Sequence, residues 1–153
     1  MMSEIQKTST RHIWSFICAV CFSLTILAPQ ITHAKDKVVY HIDDAALQAT
    51  KAIRSIRNHL DSQPNTEIIV VTHADGVDFL LEDAKDKLNP NVIYAPLVSA
   101  LASRGVRFEI CEITLSGRNL KKDQFIMESG FTLSGVVRIT ELQTRQGYAY
   151  IKP

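Results

Sequence analysis

The amino-acid sequence predicts an α/β fold, a three-layer α/β/α sandwich around a mostly parallel sheet of about five strands. Three observations lead there. β-type runs alternate along the chain with segments of helical periodicity. The run Glu67-Ile-Ile-Val-Val-Thr72 is apolar without alternation, as a strand covered on both faces requires. No internal repeat or low-complexity stretch interrupts the order between Lys35 and Pro153.

Lys37-Val-Val-Tyr-His-Ile42 is a β-type run, and Asp43-Asp44 after it suits a helix start. Ala46, Ala49, Ile53, Ile56 and Leu60 then recur at helical spacing, with Lys51, Arg54 and Arg57 on other faces. Pro64-Asn65 punctuates before the second strand, Glu67 to Thr72. His73-Ala-Asp-Gly76 follows, then a short helical piece over Val77 to Leu81. Asn89-Pro90 reopens the chain, and Pro96 starts or kinks a helix bearing Leu97, Val98 and Leu101, which Gly105 stops. Val106 to Cys111 is the third strand. A loop or short helix from Thr114 to Lys122 and a strand near Phe125 to Phe131 come next. Val136, Ile139, Thr140 and Leu142 form a last helical stripe, closed by Gly147 and the run Tyr148-Ala-Tyr-Ile151.

The length, 153 residues, fits one domain with a processed end. Seventeen basic and 16 acidic side chains give a charge of +1, so no basic footprint points to a nucleic-acid partner. With 46% hydrophobic and 22% charged residues, the composition excludes a disordered or collagen-like chain. Residues 1–34 read as a secretory signal: Arg11 and His12 precede an apolar run from Ile13 to Ala28, and Thr32-His33-Ala34 resembles a cleavage site. The apolar run is shorter than the roughly 20 residues of a spanning helix, so cleavage leaves no stable membrane insertion. The domain is then residues 35–153, periplasmic or secreted, with Cys111 its one cysteine and no internal disulfide.

In an α/β sandwich, sites form beyond the carboxyl ends of the strands. Three strands end in chemistry here, at His41-Ile42-Asp43, at Thr72-His73-Ala74-Asp75-Gly76 and at Cys111-Glu112. As neighbours, their ends would lie about 5 to 10 Å apart. Cys111 shares its strand face with Arg107 and Glu109, and Arg118, Lys121 and Lys122 are near enough in sequence to lower its pKa. The competing reading is a packed cysteine, since free cysteine is among the most buried residue types. His73 is the candidate acid or base beside it. His41, Asp43, Asp75, Gly76 and Thr114 are the candidates to line a ligand pocket. Each has a plainer role: His41 packing within its strand, Asp43 or Asp44 capping a helix, Gly76 permitting a positive φ. Thr114, Ser116 and Gly117 suit an anion-binding nest. Cys111, His41, His73 and an aspartate suit zinc or copper, but no C-x-x-C or H-E-x-x-H spacing is present. No cofactor is called for.

Val39-Tyr-His-Ile-Asp43, Ile69-Val-Val-Thr-His-Ala-Asp-Gly76, and Gly105 through Cys111 to Leu115, in that order, resemble the DsrE/DsrF-like family. The tail from Ser134 to Pro153 resembles its exported, YchN-like branch. The resemblance implies a three-layer α/β/α domain assembling into trimers or hexamers. In the sulfur-relay members a persulfide sits on the cysteine after the third strand, and Cys111 matches that position. The relay members are cytoplasmic; together with the signal segment and His73 as the candidate proton carrier, the resemblance leads to an exported sulfur-handling protein with Cys111 as the sulfur carrier, His73 assisting protonation, and a sulfur donor or acceptor protein as partner. Because members without that cysteine exist, a non-catalytic oligomeric small-ligand or metal-binding protein of the same fold is the alternative.

Overall fold

A computed structural model describes residues 35–153; the signal-like segment at 1–34 lies outside the described residues. Five strands and four helices follow in order: β1 (Lys37–Asp44), α1 (Ala45–Ser62), β2 (Glu67–Asp75), α2 (Tyr94–Ala102), β3 (Arg107–Cys111), α3 (Glu112–Arg118), β4 (Ser129–Thr132), α4 (Gly135–Gln146) and β5 (Ala149–Ile151). Short 3₁₀ turns occupy Asp78–Leu80 and Lys122–Gln124. The sheet order is β4-β3-β2-β1-β5, with every neighbouring pair parallel. No helix among the described residues is long and apolar enough to cross a membrane.

The topology explains how the helices are shared between the faces. From β1 to β4 each connection steps the same way along the sheet, and right-handed crossovers put such helices on one side. Val38, Tyr40, Ile42, Ile68, Val70, Phe108 and Ile110 on that side pack with Ala49, Ile53 and Ile56 of α1, Val98 and Leu101 of α2, and Leu115 of α3. The step from β4 to β5 runs back across the sheet and places α4 on the other side. There Val39, Ile69 and Val71 meet only Ile139, Leu142 and Tyr148, a much smaller cluster. One helix cannot cover five strands, so the carboxyl ends of β1 and β2 stay open on the α4 side.

Local chemistry sets the element ends. Asp44 is extended and accepts from the Leu47 N–H, capping α1. Pro96 falls in the first turn of α2, where a missing N–H costs no intrahelical bond, so it neither starts nor kinks the helix. Ser134 caps α4, and Gly147 closes it in the left-handed region at φ 73°.

Three expectations shift. The strand sought near Phe125 to Phe131 is Ser129–Thr132, because Phe125 and Ile126 sink into the core ahead of it. The buried stripe of α4 is Gly135, Ile139 and Leu142, while Val136 is 61% exposed. Val136 is one residue, about 100°, round the helix from the buried line. Gly76 does not take a positive φ; among the non-glycine residues beside it, Ala74 does, at 49°. What Gly76 supplies is absence of bulk, since a Cβ there would sit 2.1 Å from the Ile42 carbonyl oxygen.

Candidate functional site

Parallel register brings the three strand ends together. His41 pairs with Val71, Thr72 with Ile110, and Cys111 with Thr132. Alternation then sends His41, His73 and Cys111 to the α4 side, where the sheet is least covered. Gly135 at the start of α4 is wedged between two of them. A methyl in its place would lie 3.3 Å from the Cβ atoms of both Cys111 and His73.

Cys111 sits where the sheet changes its winding. The helix after β3 lies on one side and the helix after β4 on the other, and such a switch point opens a crevice between strand ends. The starts of α3 and α4 both face the thiol there. Burial pushes the Cys111 thiol up, but the nearby Gly135, Thr114 and Ile113 N–H groups and the Thr114 hydroxyl pull it down and outweigh that penalty. The net result is a pKa below the ordinary thiol value, because these bonds favour the charged form. The residue is 5% exposed, and its Sγ lies 4.0 Å from the Leu133 carbonyl oxygen. Cys111 is a free cysteine.

Two of the three basic side chains expected to lower this pKa are engaged elsewhere. Arg118 pairs with Asp78 at 2.7 Å and donates to the Ala74 carbonyl at 3.1 Å. Lys122 pairs with Glu112 at 2.5 Å, and Lys121 stands at the entry to the second 3₁₀ turn. Sequence proximity overstated them; the groups that lower the pKa are backbone N–H groups and the Thr114 hydroxyl at helix starts.

Thr114 ties two strand ends together. Its hydroxyl accepts from the Ala74 N–H at 3.0 Å, and the same hydroxyl favours the charged form of Cys111. Ala74 is thereby held in the left-handed region by Thr114 on its N–H and Arg118 on its carbonyl. Strain of this kind, about 1–3 kcal/mol, persists only where surroundings over-determine it.

The imidazoles form a chain. His41 Nε2 lies 2.7 Å from His73 Nε2, and His41 Nδ1 lies 2.6 Å from the Tyr150 hydroxyl. Burial, then the neighbouring His73, hold His41 below its ordinary pKa, with Asp43 pulling the other way. Asp43 itself is held below the usual carboxylate range by the Lys152 ammonium, 2.5 Å from its Oδ2. Ligand atoms of His41, Asp43 and His73 lie within 4.8 Å of one another.

The DsrE/DsrF-like family model matches residues 23–153. The chain belongs to the DsrE/DsrF-like family. A solved structure of a protein of unknown function, MTH1491 from Methanobacterium thermoautotrophicum, is 32% identical, with a TM-score of 0.69 over 78% of this chain and 100% of that one. The ychN protein from E. coli shares the fold at 14% identity, with a TM-score of 0.61 over 77% of this chain and 99% of that one. No curated protein matches.

Of the residues singled out in this DsrE/DsrF-like chain, His41, Asp43, His73, Cys111 and Thr114 come together on one rim. Asp75 does not: its side chain is 76% exposed and turns toward Arg118, 3.7 Å away. Gly76 packs on the β1 backbone. Ser116 and Gly117 lie exposed within α3, so no nest forms. A cleft of about 750 Å³ lies elsewhere on the rim, beside the start of α1, lined by Phe79, Lys85, Tyr94 and Arg118 among others, and none of the clustered residues lines it. Tyr150 and Gly135 are the participants missed in sequence. The only signal for them was Tyr150 following Tyr148 in a strand-like tail, and glycine after a capping serine.

Proposed function

We propose that this protein is an exported sulfur carrier in which Cys111 takes up sulfane sulfur as a persulfide and hands it to an acceptor. The observation behind this reading is the place of Cys111 at the carboxyl end of β3, between the starts of α3 and α4, where nearby N–H and hydroxyl groups favour its charged form. Cys111 thiolate attacks the outer sulfur of a persulfide donor, R–S–SH. The donor S–S bond breaks, the Cys111–S–SH bond forms, and the donor leaves as R–S⁻, with no net oxidation. An acceptor thiolate reverses these roles. The same donors that favour the thiolate favour a persulfide anion in its place. His73 supplies or removes the proton, and the chain through His41 to Tyr150, which is 40% exposed, connects it to solvent.

Family membership supports the reading, as does the position of Cys111 at the end of the third strand. The signal-like segment makes the location periplasmic or secreted. The protein on this reading is a homo-oligomer, a trimer or hexamer. Ile113, Leu133, Val136 and Val137 lie exposed on the segments flanking Cys111, and pairing them between subunits would exclude water from the thiol. The alternative, a non-catalytic binding protein whose cysteine packs, is favoured by the low exposure of Cys111. It leaves the convergent donors without a purpose.

Intact-mass spectrometry after incubation with polysulfide or a small persulfide tests the proposal. The expected result is a gain of one sulfur atom, reversed by reductant and absent from Cys111→Ala. No gain from any donor, with the thiol also unreactive toward alkylation in the folded protein, would leave the packed-cysteine reading standing.

A further inference from the structure

We propose that His41, Asp43 and His73 form a binding site for a divalent transition-metal ion, on the open α4 side of the sheet and without Cys111 among its ligands. The site is built on neighbouring strands: His41 and Asp43 come from β1 and His73 from β2, with His41 paired to Val71 and with Asp43 and His73 at the register shift between the Ile42–Thr72 and Asp44–Asp75 pairs. All three residues are half-buried, and their ligand atoms lie within 4.8 Å of one another. This makes a preformed cluster rather than a chance meeting of mobile surface groups.

The imidazole geometry is close to that of a metal pair. Two nitrogens bound to one tetrahedral ion at 2.0–2.1 Å stand about 3.3 Å apart. The Nε2 atoms here are 2.7 Å apart and aimed at each other, so a small rotation of either ring admits an ion. Tyr150 completes the arrangement on the far side of His41. With Nε2 on a metal, His41 carries its proton on Nδ1 and donates it to the Tyr150 hydroxyl, 2.6 Å away. A partner of this kind fixes tautomer and ring orientation in metal-binding histidines. Asp43 already holds a cation, the Lys152 ammonium, on Oδ2. That lysine is one of the last three residues of the chain, and it and the Gln48 side chain are the groups an ion would displace or share at this carboxylate.

The donor set selects the ion. Two imidazoles and one carboxylate suit a first-row transition metal such as zinc rather than magnesium or calcium, which favour oxygen ligands. Three protein ligands leave a coordination position open for water or a small anion. The inference does not depend on sulfur carriage, since Cys111 is not needed for the ion to bind; an ion held by both Nε2 atoms would replace the direct His41–His73 contact as the link in the proton path.

Isothermal titration calorimetry of the purified, untagged protein with Zn²⁺ tests it, with Mg²⁺ as the control. One saturable zinc site is expected, with no heat of binding from magnesium. His41→Ala and His73→Ala should each weaken zinc binding by roughly 100-fold or more, and Tyr150→Phe by roughly 10-fold. Cys111→Ala should bind zinc as the unaltered protein does. Thermal melts run in parallel should show zinc raising the Tm of the unaltered protein and of Cys111→Ala, and not of His73→Ala. Tyr150→Phe keeps its ring on an edge strand, so it carries the test even where a histidine variant fails to fold. Absence of a saturable site, unchanged affinity in Tyr150→Phe, or loss of binding in Cys111→Ala would overturn the proposal. Failure of sulfur loading would leave it untouched.

Discussion

Gly76→Ala is expected to leave no folded protein. A Cβ at position 76 would meet the Ile42 carbonyl oxygen at 2.1 Å, its carbon at 2.5 Å and the Asp43 Cα at 2.8 Å. These are backbone atoms of a central strand, so no side chain can rotate away to make room. The Gly76 N–H also donates to the Asp43 carbonyl at 2.8 Å and the His73 carbonyl at 2.9 Å, and relief of the clash would stretch both bonds. Moving β1 from β2 by more than an ångström would open the middle of a close-packed sheet. The cost, on the order of 4 kcal/mol or more, approaches the whole stability of a small domain, about 5–15 kcal/mol. Far-UV circular dichroism and a urea melt check this. A melt within about 1 kcal/mol of the unaltered protein would contradict it.

Arg138→Met is expected to destabilise the fold by about 3 kcal/mol, the lower end of the range for breaking a buried pair. Arg138 of α4 grips Glu109 of β3 with two bonds, Nε to Oε2 at 2.6 Å and a terminal nitrogen to Oε1 at 3.0 Å. The side chains are only 20% and 14% exposed. Removing the guanidinium strands a carboxylate two residues before Cys111, on the same face of the strand. Partial access to water sets the effect at the lower end, since screening offsets some of the loss. Glu109→Gln in the same chain should restore at least half of it, because the amide carries no charge to strand. A urea series on the two variants measures both effects. An Arg138→Met loss under about 1 kcal/mol would mean the pair is screened like a surface one.

The fold was legible in sequence because its signals are local. The β-branched run at Glu67–Thr72 and the apolar positions of Ala46 to Leu60 mark a strand and a helix without reference to anything distant. The site was legible only in part. That strand ends cluster follows from fold class, and so His41, His73 and Cys111 could be named. Tyr150 could not, since its bond to His41 spans 109 residues and depends on the register of β5 against β1. Gly135 depends on the return crossover that drops the start of α4 beside β3. Arg118 illustrates the opposite error. It lies seven residues from Cys111, yet helix α3 carries it to the Asp78 side of β2. Gly76 shows a third kind: steric need for a glycine looks the same in sequence as a need for positive φ.

The thiol also sets a sign for stability. Because its folded-state pKa is depressed, Cys111 contributes stability that is fully present above the ordinary thiol pKa and is lost as pH falls through the folded-state value. The most direct test of the whole account is therefore the pH dependence of Cys111 ionisation in the folded protein, read from the thiolate absorbance against Cys111→Ala. The account predicts a midpoint below that of an ordinary cysteine, moving upward in Thr114→Val as the hydroxyl donor is lost. A midpoint at or above the ordinary value, unmoved by Thr114→Val, would mean that burial prevails over the converging donors. Cys111 would then be a packed core residue rather than a sulfur carrier.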